Sequence, residues 1–260
     1  MRSVIDDRNS AARPSLALAM RSLLLADSIV LLRSRVSVVL SILLPIVVLV
    51  VTTFGKAQSR LGGSDLVIGL ALILGLLTSC LLGYSLTLAH DREMGVLQRL
   101  RVTPAPTWMI MTSRLVVQVA TNLIASAIVM IVGTILHGLS LNAGQYALIL
   151  AIAVLGAAMF LAIGQALVGV VKSSTAINAI GRVLFVILLL LGLLGGSGIL
   201  GDTMKTIGDW SPVGALMAFF SSVLSQATWS AQDGYSLLAC LGYIVVFSFI
   251  GIRWFRWDAQ

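Results

Sequence analysis

Residues 91–101 of the chain read Asp91-Arg92-Glu93-Met94-Gly95-Val96-Leu97-Gln98-Arg99-Leu100-Arg101. Five of these residues are charged, whereas one apolar run ends just before them at Ala89 and another begins after Arg114. Charged side chains between two apolar runs must reach water, because ionised groups are costly in hydrocarbon. The stretch therefore predicts a water-facing helix between two membrane spans, on a surface that another protein can bind.

The side chains of this predicted helix form a mixed surface. Helical spacing places Met94, Leu97 and Leu100 on one flank, and Glu93 and Arg101 fall within the same arc. Such a surface fits a polar groove of a partner better than it fits lipid. The alternative is an ordinary cytoplasmic loop that is charged only because it must be hydrated.

The composition places the chain among integral membrane proteins. Of its 260 residues, 58% are hydrophobic and only 10% are charged. A soluble domain carries about a quarter charged residues, so a water-soluble fold is excluded. The net charge of +7 does not indicate nucleic acid, because the basic residues are scattered through predicted loops rather than grouped with aromatic residues.

We predict an all-α polytopic membrane protein with six transmembrane helices. A helix needs about 20 apolar residues to cross about 30 Å of hydrocarbon. The spans are placed at approximately 36–54, 66–89, 115–136, 146–171, 183–200 and 235–252, within a membrane domain of residues 36–252. Residues 1–35 form an N-terminal segment and residues 253–260 a C-terminal tail, and the inner part of each span lacks acidic and basic residues.

The distribution of Lys and Arg sets the predicted orientation. With the N-terminus inside, fourteen of the seventeen basic residues are cytoplasmic, and only Lys56, Arg60 and Lys205 lie outside. Cytoplasmic loops of membrane proteins carry such an excess. Both termini and the loops at 91–101 and 172–182 are therefore expected in the cytoplasm. The loop at 172–182 is expected to be a simple turn, and the alternative is that it contacts the same partner as residues 91–101.

The N-terminal segment predicts an amphipathic helix at the membrane surface. From Pro14 to Leu32 the sequence is compatible with a helix that has leucines on one side. Asp27 departs from this pattern, since it falls on the apolar side. A loosely ordered basic tail is the alternative.

Between the fifth and sixth spans, an apolar helix too short to cross the bilayer is predicted. Its side chains recur at helical spacing and form one stripe. It should be re-entrant or interfacial on the external side, after glycines at 192–198 that loosen the end of the fifth span. The alternative is an external helix that simply packs on the bundle. The residues of the predicted helix are Pro212, Val213, Leu216, Met217, Phe220 and Leu224.

The pattern Asp-Arg-Glu-x-Gly-x-Leu-x-x-Leu-Arg-x-x-Pro, which begins at Asp91, resembles the coupling-helix signature of ABC-2 type exporter permeases. The order of elements resembles that family over nearly the whole chain, and most closely the daunorubicin and multidrug-resistance branch. Many relatives begin the signature with Glu, so Asp91 is a small departure that keeps the carboxylate. By this resemblance the ATPase interface consists of Asp91, Arg92, Glu93, Met94, Gly95, Leu97, Leu100 and Arg101.

The resemblance also implies partners and a task. Two copies of an ATP-binding subunit would hold ATP and Mg, while this chain binds no cofactor itself. A second identical or similar permease subunit would complete a dimer in the bacterial plasma membrane, surrounded by lipid. The cargo would be a hydrophobic or amphiphilic compound such as a drug, an antibiotic or a lipid-like molecule. The alternatives are export of a lipid-linked glycan or polysaccharide, and a non-transporting scaffold that docks a cytoplasmic protein.

The sequence predicts no catalytic residue and no metal site. It lacks the Gly-x-x-x-x-Gly-Lys-Ser/Thr phosphate loop, so ATP hydrolysis is assigned to a separate subunit. His90 and His137 are predicted on opposite sides of the membrane and cannot share a metal. Asp91 and Glu93 should point apart on a helix, which disfavours a catalytic carboxylate pair. An ion-coupled transporter would be expected to carry ionisable residues within its spans. The predicted spans have none in their inner part, which argues against that class of transporter.

Overall fold

The computed structural model describes residues 16–33, 35–54, 63–96, 99, 106–197, 201–226 and 230–254. Within these ranges the chain forms helices and no strand. A π-helical segment, Leu77–Gly83, joins α3 to α4 without a break, so Ser64–Glu93 is one continuous helix. The helices are α1 Leu16–Arg33, α2 Arg35–Phe54, α3 Ser64–Leu76, α4 Tyr84–Glu93, α5 Thr107–His137, α6 Ala143–Val170, α7 Ser174–Ser197, α8 Asp202–Trp210, α9 Pro212–Leu224 and α10 Ala231–Trp254.

In the described part of the chain, five helices are long and apolar enough to cross a membrane. They correspond to the second to sixth predicted spans and confirm a multi-pass membrane protein. The first predicted span, 36–54, lies within α2, whose described apolar part is the shorter Ser41–Phe54. The count of six spans therefore stays a prediction. The five helices are Ser64–Glu93, Trp108–His137, Ala143–Val170, Ser174–Leu193 and Ala231–Trp254.

Two helices extend beyond the approximate bounds predicted for their spans. The loop expected at 172–182 consists only of residues 171–173, because α7 already begins at Ser174. The second span was expected to end at Ala89, yet the helix continues to Glu93. Both helices extend because the charged residues at the end of α4 find hydrogen-bond partners within the protein. The glycines also leave α7 intact as far as Ser197.

The short apolar helix is confirmed as α9, and it packs deep among the longer helices. Its N-terminus is capped by Ser211, whose hydroxyl oxygen accepts a hydrogen bond from the Gly214 amide at 3.0 Å. Val213, Leu216 and Phe220 are fully buried. The stripe therefore faces protein, which favours the alternative of a helix packed on the bundle.

Glycines on the neighbouring helices make room for α9. A Cβ atom at Gly192 of α7 would overlap Cγ1 of Val213, and one at Gly156 of α6 would lie 2.9 Å from Cδ1 of Leu216. Real Cβ atoms do not approach other carbons so closely, so only glycine permits this contact. The glycines that were expected to loosen α7 thus include one that is needed for close packing.

Candidate functional site

The charged end of α4 contacts three other helices through three consecutive residues, Asp91, Arg92 and Glu93. Consecutive residues on an α-helix point about 100° apart, since 3.6 residues complete a turn. The three side chains therefore reach in different directions, as expected for Asp91 and Glu93. We call these three residues the junction.

Arg92 caps the C-terminus of α6. Its Nη1 donates to the Val168 carbonyl at 2.7 Å, and its Nη2 donates to the carbonyls of Val171 at 2.9 Å and Lys172 at 2.6 Å. The last carbonyls of a helix have no partner within the helix, and a cation is favourable there. Arg92 is only 6% exposed. Its guanidinium therefore fixes the end of α6 from inside the protein.

Glu93 caps the N-terminus of α7, which lies at the other end of the connection between α6 and α7. Its Oε1 accepts a hydrogen bond from the Ser174 amide at 2.8 Å, and its Oε2 accepts one from the Ser174 hydroxyl at 2.7 Å. The first amides of a helix have no partner within the helix, and an anion is favourable there. Arg92 and Glu93 together hold the connection between α6 and α7, while Glu93 stays exposed.

Asp91 connects α4 to α5 and, through α5, to α1. Its Oδ2 accepts a hydrogen bond from Arg114 Nη1 at 2.6 Å, and Arg114 Nε lies 4.0 Å from Oδ1 of Asp27. The Ser113 hydroxyl donates to Oδ2 of Asp27. Asp27, the charge that departs from the apolar pattern of α1, therefore faces polar groups of α5.

The environment of Asp27 disfavours its charged form. Burial raises the pKa of the Asp27 carboxyl above its ordinary value of 3.8, although the Ser113 hydrogen bond and Arg114 act in the opposite direction. The desolvation cost of the carboxylate thus exceeds the stabilisation that Ser113 and Arg114 provide.

The helix expected across residues 91–101 is interrupted by a turn. Gly95 has a φ of 68°, a left-handed conformation that glycine adopts readily and that commonly ends helices. The Gly95 amide bonds back to the Arg92 carbonyl, and the Arg99 amide bonds to the Gly95 carbonyl. Met94, 60% exposed, and Arg99 both lie on the surface beyond the junction. Leu97, Leu100 and Arg101 lie outside the described residues.

The profile of the family described as ABC-2 type transporter matches residues 18–213, from α1 to the start of α9. The chain belongs to the ABC-2 type transporter family. No curated protein matches the sequence. The junction lies inside the matched region, whereas α10 and nearly all of α9 lie beyond it.

Membership establishes the general role of the chain. ABC-2 permeases are the membrane component of a transporter, are generally not catalytic themselves, and typically work with ATP-binding subunits. This chain is therefore the permease subunit of a transporter.

The second predicted group of site residues lies on α9, away from the junction. Pro212, Val213, Leu216, Met217 and Phe220 are all buried in the bundle. At the far end of α9, the Ser221 hydroxyl donates to Oδ2 of Asp65 in α3 at 3.1 Å. Asp65 and Asp91 lie near opposite ends of the continuous helix Ser64–Glu93, about 40 Å apart at 1.5 Å per residue.

Sequence reasoning missed the partners of the junction. Ser174 and the carbonyls capped by Arg92 lie 76 to 81 residues from the junction along the chain. No spacing rule connects residues so far apart. One signal was available: Asp27 and Arg114 are opposite charges on helices whose other residues are mainly apolar.

Proposed function

We propose that this permease is the membrane subunit of an ATP-driven exporter whose separate ATP-binding subunits dock on the surface around residues 91–101. Two ATP-binding subunits and two permease subunits would form the complex, and the cargo would be a hydrophobic or amphiphilic compound. Family membership supports the ATP-binding partner, since ABC-2 permeases typically work with one.

The junction is the observation that carries the proposal. A push on the exposed Met94 and Arg99 reaches the end of α4, where three consecutive charged residues bind α5, α6 and α7. Hydrogen bonds in which the donor or the acceptor is charged are shorter and about twice as strong as those between neutral groups. The junction can therefore transmit one displacement to three helices at once.

Site-specific cross-linking tests the docking surface without knowledge of the cargo. A photo-crosslinking amino acid replaces Met94 or Arg99 in the full-length protein, expressed in its own cells. The same amino acid replaces Gln226 as the matched control, which is exposed and donates to the Ser140 carbonyl in the connection between α5 and α6, at the other end of the bundle. We expect Met94 and Arg99 to cross-link to one ATP-binding protein and Gln226 not to. Equal cross-linking from all three positions, or none from Met94 and Arg99, would contradict the proposal.

A further inference from the structure

A cavity of about 320 Å³ lies between α1, α4 and α5, beside the junction. This volume is within the range of small-molecule sites, which are mostly apolar with a few polar groups. Leu88 and Val117 belong to its apolar wall. Its polar wall contains Asp27, Asp91 and Arg114.

The charges of this wall do not balance. Arg114 is a full hydrogen-bond partner of Asp91, with 2.6 Å between Nη1 and Oδ2. The distance of 4.0 Å from Arg114 Nε to Asp27 is too long for a hydrogen bond. One guanidinium thus faces two carboxylates, and among the described residues Asp27 has no cation closer than this 4.0 Å ion pair with Arg114. A cation close to a carboxylate favours its charged form, which burial otherwise disfavours.

A second, independent feature of the wall indicates a ligand. Tyr84 lines the cavity, and the residue is only 5% exposed. Its buried hydroxyl has no hydrogen-bond partner among the described residues, and neither does Nε of Arg114. Buried polar groups in folded proteins are nearly always paired. The unpaired Tyr84 hydroxyl and the Asp27 carboxylate thus belong to the wall of the same cavity.

We infer that this cavity binds an amphiphile with one amine cation. The ammonium group lies at the Asp27 carboxylate, within reach of the Tyr84 hydroxyl, and the apolar body lies along Leu88 and Val117. The assignment of this amphiphile as cargo rests on the proposed export function, whereas its binding does not.

A fluorescence titration of the full-length permease in lipid nanodiscs tests the inference. The probe is dansylcadaverine, a primary amine on an aromatic body, and its N-acetylated form is a neutral probe of nearly the same shape. Empty nanodiscs measure partition into lipid. We expect saturable binding of the amine and at least tenfold weaker binding of the acetylated probe.

Variants locate the site. Asp27→Asn should weaken amine binding at least tenfold, and Tyr84→Phe, which removes only a hydroxyl, should weaken it severalfold. Asp209→Asn on α8 removes a carboxylate elsewhere and should bind as the unmodified protein does. Equal binding of both probes, or undiminished binding by folded Asp27→Asn and Tyr84→Phe, would overturn the inference.

The titration needs neither ATP nor an ATP-binding subunit, so its result is independent of the proposed function. Failure of amine binding would leave cross-linking from Met94 unaffected. Failure of that cross-linking would leave the cavity a binding site but remove its link to ATP-driven transport.

Discussion

The two ends of the continuous helix Ser64–Glu93 are attached to the bundle in different ways. At one end, Arg92 and its two neighbours form charge-assisted hydrogen bonds to three helices. At the other, α9 fills the space that Gly69, Gly156 and other glycines leave, and a single hydroxyl of α9 bonds to Asp65.

The two kinds of attachment have different physical roles. Close apolar packing resists any change of volume, so α9 sets how near the helices lie to one another. Hydrogen bonds of charged groups are directional, so the junction sets the orientation of the helix ends. We therefore expect changes at α9 to affect mainly stability, and changes at the exposed part of the junction to affect mainly the transmission of movement.

The largest effect is expected at Arg92, because its charged group is buried among the helices and also forms the hydrogen bonds that orient the end of α6. Arg92→Met removes three hydrogen bonds and leaves carbonyls at the end of α6 unpaired, which should lower the free energy of unfolding by about 3 kcal/mol. Thermal unfolding in detergent measures the loss. The exposed Arg99→Met is the matched control and should unfold as the unmodified protein does. Equal stability of Arg92→Met would show that the cap contributes nothing.

A smaller loss is expected where α9 meets α7. Gly192→Ala places a methyl group against Val213 and should destabilise the protein by about 2 kcal/mol, in the range of overpacked cores. Gly242→Ala on α10, where a Cβ atom meets nothing within 4 Å, is the control. The second change Val213→Ala should restore much of the stability. Absence of rescue would mean that the strain lies elsewhere.

Glu93→Ala should cost less than about 1 kcal/mol, because the side chain is exposed and acts as a helix cap. Its effect on transport should be far larger than its effect on stability. In proteoliposomes with the ATP-binding subunit, we expect at least a tenfold fall in export per ATP hydrolysed. Thr175→Ala, on an exposed neighbour of Ser174, should leave that ratio unchanged. Normal export by Glu93→Ala would assign the residue a purely structural role.

The smallest effect is a pH dependence at Asp27. Burial raises the pKa of its carboxyl above 3.8, so the folded state holds the proton more tightly than the unfolded state. The resulting stabilisation is fully present below pH 3.8 and is lost as pH rises through the raised pKa. The melting temperature of the unmodified protein, relative to that of Asp27→Asn, should therefore rise as pH falls from 7 toward 4. A difference that is constant with pH would contradict this.

Much of the fold could be predicted from apolar runs alone. The second to sixth spans and α9 follow from run length and helical spacing, which are local properties of the sequence. The ends of the helices were less certain, because α4 continues to Glu93 and α7 begins at Ser174 only through contacts between distant segments. Gly95 is a residue type that often ends helices, and here it does.

The location of the candidate site could be predicted from the sequence, but the contacts within the site could not. The charged stretch after Ala89 identified the residues, and the family resemblance supplied their expected partner. The structure adds that Arg92 faces inward and that Asp27 of α1 belongs to the same polar cluster. Such contacts depend on how the helices are arranged in space, and no periodicity encodes that arrangement.

We expect the junction to hold the end of α4 and the start of α7 together, so that they move as one body. Spin labels at Met94 and Thr175 of the full complex measure that distance without nucleotide and with ATP trapped. We predict the same narrow distance distribution in both states, and a broader, nucleotide-dependent one once Glu93 is changed to alanine. A distance that already differs between the two states of the unmodified complex would contradict the claim.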